Sequence, residues 1–119
     1  MAEVAFTFAP IGHGLVKYTW ASLANGDTGA WVDMGRYIEA NVQVYGTFGS
    51  GGNCQMQGTN ESGTPSNPYT ANDPQGNPLN IGTAKGEQVL EGPDRVRPSI
   101  TAGDGTTDLT VIMRVKGGR

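Results

Sequence analysis

The stretch DLTVIMRV at residues 108–115 determines the predicted fold class of this chain. Every second side chain is apolar, from Leu109 through Val111 and Met113 to Val115. A period of two is typical of a β-strand with one buried face. The stretch therefore predicts a strand that contributes one side to a core.

Further runs of the same kind flank it at Leu15–Leu23, 30–34, 37–48 and 96–101. Turn signals such as Asn25-Gly26-Asp27 separate them. Pro98 predicts that its strand is an edge strand or carries a bulge. No helix longer than about two turns is supported, although 88–91 fits either a strand or one helical turn. The pattern predicts an all-β single domain over 1–119, an antiparallel β-sandwich or flattened barrel with about seven to nine short strands.

The glycine-rich segment GSGGN at 49–53 predicts a turn between two strands. We expect 41–48 and 54–59 to pair across it as an antiparallel hairpin. Cys54, Met56 and Gly58 would then point inward.

Three further segments are predicted to lie apart from the main strands, although Val4–Phe8 at the start of the chain is a short apolar run. Residues 60–78 contain four prolines, with Tyr69 as their one large apolar side chain. A loop of that length is uncommon in a small domain unless it binds something or is poorly ordered. The remaining two segments are a flexible N-terminal arm at about 1–12 and a basic C-terminal tail at about 114–119.

Composition and charge exclude several classes of function. The 119 residues include 8 Lys and Arg against 11 Asp and Glu, a net charge of −3, whereas nucleic-acid-binding modules are usually basic. No apolar run approaches the ~20 residues of a membrane helix. The first ten residues lack an export signal, so we expect synthesis in the cytoplasm and no membrane partner.

The sequence offers little reactive chemistry. His13 is the one histidine and Cys54 the one cysteine, too few for a zinc site. The segments 73–77 and 104–108 lack the spacing and terminal glutamate of an EF-hand loop, and predict Asx-type turns instead. We expect no catalytic residue, no metal, no cofactor and no enzymatic activity.

A series of short motifs adds a family resemblance. They are LANGDTG at 23–29, VQV at 42–44, GTFG at 46–49, GTN at 58–60, DPQGN at 73–77, Arg97-Pro98, and GDGTT at 103–107 before LTV at 109–111. In this order, over about residues 19–115, they resemble the small head decoration (cement) proteins of tailed bacteriophages. The chain departs from that pattern after Asn60, where Glu61-Ser62-Gly63 and a proline-rich stretch replace the family's Asp-Gly.

The resemblance implies a protein of the virion's outer surface that binds the expanded head and bridges subunits of the major capsid protein. It also implies self-association, as a homotrimer or alternatively a homodimer. The segments 1–11 and 60–78 would supply contacts. The candidate capsid or oligomer contacts are Val4, Phe6, Phe8, Tyr69, Arg114 and Lys116.

Two other functions remain open. MQGTN at 56–60 resembles the Gly-Ser-Asn turn of discoidin-like glycan-binding domains, which implies a carbohydrate-binding jelly roll with Tyr69 or Trp31 exposed to sugar. A phage tail or baseplate component would use a similar small β module.

Overall fold

A computed structural model describes residues 2–35 and 37–117, which form two β-sheets packed face to face. The strands are β1 (Glu3–Val4), β2 (Thr7–Gly12), β3 (Leu15–Leu23), β4 (Thr28–Gly29), β5 (Val32–Asp33), β6 (Tyr37–Thr47), β7 (Asn53–Thr59), β8 (Tyr69–Thr70), β9 (Asn80–Ile81), β10 (Lys85–Val89), β11 (Arg95–Ala102) and β12 (Asp108–Gly117). The five-stranded sheet has the order β10-β6-β12-β3-β2. The seven-stranded sheet has the order β1-β4-β11-β7-β8, with β5 also on β11 and β9 on β7.

The predicted all-β sandwich is confirmed. Pairing is antiparallel throughout the described residues except between β1 and β4, which run parallel. Five of the longer strands, β3, β6, β7, β11 and β12, correspond to alternating runs in the sequence, whereas β2 lies in the predicted N-terminal arm. Five two-residue strands (β1, β4, β5, β8 and β9) raise the number above the predicted seven to nine, since so short a segment shows no periodicity.

The core lies between the sheets. Val111 and Met113 of β12 are fully buried, as are Cys54 and Met56 of β7 on the opposite sheet. Trp20 is also fully buried, and its indole Nε1 donates to the carbonyl of Ala30 at 3.1 Å. Burying a large apolar side chain is worth about 1.5–3 kcal/mol, so the alternating strands supply most of the driving force.

The predicted hairpin between 41–48 and 54–59 is wrong. Strand β6 pairs with β10 and β12, whereas β7 pairs with β8, β9 and β11 in the other sheet. The inward direction of Cys54, Met56 and Gly58 is nevertheless correct, because all three are buried. Residues 48–52 cross from one sheet to the other, over the ~10 Å that separates packed sheets.

The N-terminal segment is part of the sandwich and does not form a free arm. Strand β1 pairs with β4, and β2 pairs with β3 from Thr7 to Gly12. The reversal between β2 and β3 uses Gly12, His13 and Gly14, with φ of 92°, 54° and 78°. Positive φ costs glycine little, so this sequence can fold β2 back onto β3.

The predicted basic C-terminal tail is also largely a strand. Arg114 and Lys116 lie in β12, the central strand of the five-stranded sheet, which continues to Gly117. Its alternating apolar residues bury one face, and that burial holds the basic residues on the sheet. Arg119, part of the predicted tail, lies outside the described residues.

Pro98 lies in an interior strand, since β11 runs between β7 and the short strands β4 and β5. Ser99 pairs with Thr28, but Val96 pairs with Val32, so the β4–β5 side has one extra residue opposite Pro98. The edge alternative is therefore wrong. Strand β11 does carry a register shift, but it lies between Ile100 and Ala102, and Pro98 itself pairs in regular register with Met56. Of the two readings for 88–91, the strand is confirmed for residues 88–89, the end of β10, whereas 90–91 lie beyond it.

Candidate functional site

The structure separates the six predicted contact residues into three places. Val4, Phe6 and Phe8 lie on the side of the sandwich formed by β1 and β2. Tyr69 is on β8, at the opposite edge of the seven-stranded sheet. Arg114 and Lys116 lie on the outer face of the five-stranded sheet. The six residues therefore do not form one site.

The N-terminal aromatic residues have different roles. Phe6 packs edge-on against Tyr18 and Trp20, with ring centroids 5.1 and 6.0 Å apart, and belongs with Val4 to the margin of the core. Phe8 pairs with Tyr18 across the β2–β3 ladder but is 63% exposed. Phe8 is therefore the member of this group that a partner can contact.

Tyr69 closes the sheet edge over Gly58. A Cβ atom placed on Gly58 would lie 3.1 Å from the Tyr69 hydroxyl and 2.9 Å from the Pro93 ring. Burial raises the pKa of Tyr69, and the carboxylates of Glu91 and Asp94 raise it further. Tyr69 is therefore a packing residue: one side of its half-buried ring lies against the backbone, and the other side is exposed.

Loop 60–68 is built around one carboxylate. Glu61 accepts hydrogen bonds from the backbone N–H of Asn67 at 2.9 Å and the Thr59 hydroxyl at 3.2 Å. The first of these bonds is the main reason that the pKa of Glu61 is lowered. The guanidinium of Arg95 donates to the carbonyls of Glu61 and Gly63. The long predicted loop is thus tied to β11.

The first candidate surface is the basic face, formed by Lys17, Arg114 and Lys116 on the outer side of the five-stranded sheet. Lys17 and Arg114 are direct cross-strand partners on β3 and β12, and Lys116 follows two residues along the same face. Like charges placed opposite each other destabilise a sheet. Glu39, the cross-strand partner of Lys116, is the acid nearest in register.

The described residues contain a single ion pair, Lys85–Glu87 at 3.2 Å. Among these residues, the side chains of the basic face therefore form no ion pair. Around Lys17 and Arg114 the surface forms a shallow depression completed by Asn41, Gln43 and Ile112. This depression is open to solvent and does not enclose a cavity. The arrangement suits a broad acidic surface better than a small molecule.

The second candidate surface is the arginine–tryptophan depression on the outer side of the seven-stranded sheet. The Arg97 guanidinium lies 4.4 Å from the centroid of the Trp31 ring, and that of Arg95 lies 5.8 Å from it. Glu3 and residues 63–65 complete the lining. Burial lowers the pKa of Arg97, whereas Glu3 raises it.

The other residues considered from sequence lie apart from these surfaces. Cys54 is a buried free thiol, and burial raises its pKa to about 12. His13 lies in the exposed β2–β3 turn of the five-stranded sheet, whereas Cys54 lies on β7 of the other sheet. No group of three or more His, Cys, Asp or Glu within residues 2–35 and 37–117 is placed to hold a metal ion.

The two acidic turns are Asx-type turns, as predicted. Asp73 Oδ1 accepts the N–H groups of Gln75 and Asn77 at 3.0 and 2.9 Å. Asp104 Oδ1 accepts the N–H of Thr106 at 2.9 Å. In addition, the described part of the chain has no helix that is long and apolar enough to cross a membrane.

The candidates named from sequence included Arg114 and Lys116 but not Lys17, Arg95 or Arg97, although Arg97-Pro98 was one of the family motifs. The predicted strand began at residue 96, one residue after Arg95; starting it at Arg95 would have placed both arginines on one face. That spacing, next to the already noted Trp31, was a usable signal for a cationic surface.

Comparison with known proteins gives a similarity in fold and no family assignment. Neither a scan against protein-family models nor a search of curated proteins gave a match. Among solved structures, the fold is similar to the crystal structure of SPBc2 prophage-derived protein YomS, with a TM-score of 0.62 and 14% sequence identity. The alignment covers 85% of this chain and 93% of that chain. The chain thus shares nearly the whole of its β-sandwich fold with a prophage-derived protein.

Proposed function

We propose that this protein is a phage virion component that decorates the outer surface of the expanded head and bridges neighbouring subunits of the major capsid protein. The ordered motif series and the fold shared with a prophage-derived protein support a phage origin. The observation that carries the binding role is the basic face. The proposal is a binding role without catalysis.

The outer face of the five-stranded sheet, which carries the basic face, approaches the size of a protein interface. Five strands at ~4.8 Å spacing and a ten-residue strand at ~3.4 Å per residue give at most about 19 by 34 Å, or roughly 600 Å². Stable interfaces bury about 800 Å² on each partner, so one copy falls short of that area and attachment of several copies together would be needed. Tyr45, 42% exposed and paired with Thr110 in the outward register, adds an aromatic side chain to the same outer face, four residues along β6 from Asn41, the partner of Arg114.

The positive charge of this face determines which kind of partner surface it binds. Lys17, Arg114 and Lys116 meet few acids on a molecule whose net charge is −3. Complementary charge speeds association with an acidic surface, and salt weakens the attraction over a Debye length of about 8 Å at 0.15 M. The partner surface on the capsid subunit is therefore acidic.

Self-association completes the proposal. Phe8 on edge strand β2 is 63% exposed while it rests on Tyr18 at 5.8 Å, so it extends the aromatic cluster toward a neighbour. A closed homotrimer with Phe8 at its contacts would present three basic faces to one shell, and a homodimer would present two. Simultaneous attachment raises avidity without new contacts. Because such a ligand favours the expanded shell, it stabilises that state by mass action.

Co-sedimentation with heads of the phage that encodes the chain tests the function. We expect saturable binding to expanded heads, weak binding to unexpanded heads, and a higher temperature of head disruption in its presence. Absence of binding to either form would overturn the proposal. Binding to isolated tails instead of heads would favour the tail or baseplate alternative.

A further inference from the structure

We propose that the arginine–tryptophan depression binds a carboxylated sugar, such as a uronic or sialic acid unit of an acidic polysaccharide. This proposal is independent of capsid binding, because the depression lies on the seven-stranded sheet and the basic face on the other. Its volume of about 430 Å³ lies within the range of about 300–1,000 Å³ that is typical of ligand pockets.

Two guanidinium groups supply the positive charge, and Arg97 supplies the anion-binding fork, because Arg95 Nη2 already donates to the carbonyls of Glu61 and Gly63. Arg95 and Arg97 lie two residues apart on the same face of β11, beside one indole. Arg97 uses only Nε within the described residues, donating to Gln57 Oε1 at 2.9 Å. Its terminal Nη groups remain available at the depression. A planar guanidinium fork binds a carboxylate through two parallel hydrogen bonds.

The carboxylate of Glu3, in the same depression, restricts the chemical class of the ligand further. Glu3 shares the lining with both arginines and forms no ion pair at 4.0 Å or less among the described residues. Its carboxylate would repel a purely anionic ligand but would accept hydrogen bonds from hydroxyl groups. A carboxylated sugar carries the anion and the hydroxyl donors on one ring. An acidic peptide segment would place several carboxylates beside Glu3, so the lining favours the sugar.

A row of amide side chains extends from the arginines along the sheet. Gln57 Nε2 donates to Gln55 Oε1 at 2.9 Å, and Gln55 Nε2 donates to Asn80 Oδ1 at 3.1 Å. Asn53 Nδ2 donates to the same Asn80 oxygen at 3.2 Å. Each amide is therefore held in one orientation, with further donor and acceptor capacity directed at solvent.

The amide row runs from Asn53 to Gln57 along β7, a distance of about 14 Å at ~3.4 Å per residue. It thus reaches beyond the depression, far enough to contact sugar units that follow the carboxylated one. Because these side chains are already fixed by one another, binding loses little side-chain entropy. Pre-arranged amides of this kind match the hydroxyl groups of an oligosaccharide.

The test is a calorimetric titration of the full chain at low ionic strength. The probes are trigalacturonic acid, its methyl ester, N-acetylneuraminic acid and a tetraglutamate peptide. The ester keeps the hydroxyl groups and removes the charge. We expect saturable binding of at least one carboxylated sugar, with the ester and the peptide at least tenfold weaker.

Variants locate the site. Arg97→Gln should weaken sugar binding tenfold or more, and Lys85→Gln, with the same change in net charge on another strand, should not. If Arg97→Gln fails to fold, Arg97→Lys keeps the charge, loses the fork and should still bind several-fold more weakly. The proposal is overturned if neither carboxylated sugar binds saturably, if the peptide binds as tightly, or if the Arg97 and Lys85 variants behave alike. Head binding is measured separately, so either result stands whatever the capsid experiment gives.

Discussion

Gly29 shows, at the scale of single residues, how closely the two sheets approach. A Cβ atom at this position would lie 2.6 Å from the Trp20 indole and 2.7 Å from the Pro98 ring. The register break between β4 and β5 opposite Pro98 and the fully buried Trp20 meet at this glycine. A side chain here must displace one of two rigid rings.

We therefore expect Gly29→Ala to destabilise the protein by about 1–3 kcal/mol, the usual cost of overpacking a core. Urea unfolding monitored by tryptophan fluorescence measures the change. Gly92→Ala is the matched control, because a Cβ there meets nothing within 4 Å, and its effect should stay within about 0.5 kcal/mol. Equal stabilities for the two variants would contradict this packing.

At the scale of elements, the crossing at 48–52 is held by the turn before β12. Ser50 N–H donates to Asp104 Oδ2 at 2.8 Å, and the Thr107 hydroxyl donates to the carbonyl of Phe48 at 2.8 Å. Asp104 Oδ1 also accepts the Thr106 hydroxyl at 2.7 Å. The hydrogen bonds that Asp104 accepts lower its pKa to about 2, and the bond from the Thr106 hydroxyl has the largest effect, followed by that from the Ser50 N–H.

The shift makes the crossing sensitive to acid. An unfolded aspartate has a pKa of about 3.9, so the ionised form of Asp104 stabilises the fold fully above that pH and progressively less as pH falls through about 2. Asp104→Asn should therefore be less stable than the parent chain at pH 5–7, and the difference should shrink toward pH 2. Urea unfolding at pH 7, 5, 3 and 2 measures it. A difference that does not change with pH would contradict the assigned bonds.

The N-terminal strands permit a second test at this scale. The carbonyls of Ala2 and Val4 accept the N–H groups of Thr28 and Ala30 at 2.9 and 2.8 Å, and Phe6 packs on Trp20. Deleting residues 1–8 should therefore cost at least about 3 kcal/mol, the scale of a lost core phenylalanine. Phe8→Ala, at a 63% exposed position, should cost less than about 1 kcal/mol. A truncated chain as stable as the parent would show that these strands add nothing to the fold.

The strands themselves could be predicted from sequence, but not all of their partners. Alternation in 37–48 and 54–59 gave the buried faces correctly, because period two depends only on which side is apolar. A short glycine-rich connection fits a hairpin as well as a crossing between sheets. Whether the hairpin or the crossing forms depends on β12, whose ten residues pair with β6 from Thr47 to Tyr37. Strand β12 thus takes the place beside β6 that the hairpin would give to β7, and because β12 is distant in sequence, the residues around the connection give no signal of it.

At the scale of the whole molecule, the sandwich displays its basic residues on two opposite outer faces. Of the eight Lys and Arg, Arg36 and Arg119 lie outside the described ranges and Lys85 pairs with Glu87. The other five form the basic face and the arginine–tryptophan depression. Sequence could place each residue on one side of its strand. Their convergence could not be predicted, because it depends on the order β6-β12-β3 in one sheet and on β5 and β7 flanking β11 in the other.

The two proposals assign these faces different partners. The basic face would rest on the acidic surface of the capsid, and the depression would then face away from the shell, free to meet sugars. A mild glycan-binding activity on a decorated head is compatible with this arrangement. Under the two proposals together, the carbohydrate-binding alternative would be a second property of the same molecule.

The central claim is that the basic face contacts the head, and one measurement tests it most directly. The affinity of Arg114→Glu for expanded heads is compared with that of Lys85→Glu, which makes the same charge change on strand β10, with both folds checked by circular dichroism. We predict that Arg114→Glu binds at least tenfold more weakly at 0.15 M salt and that Lys85→Glu binds like the parent chain. Equal binding by the two variants would contradict the account.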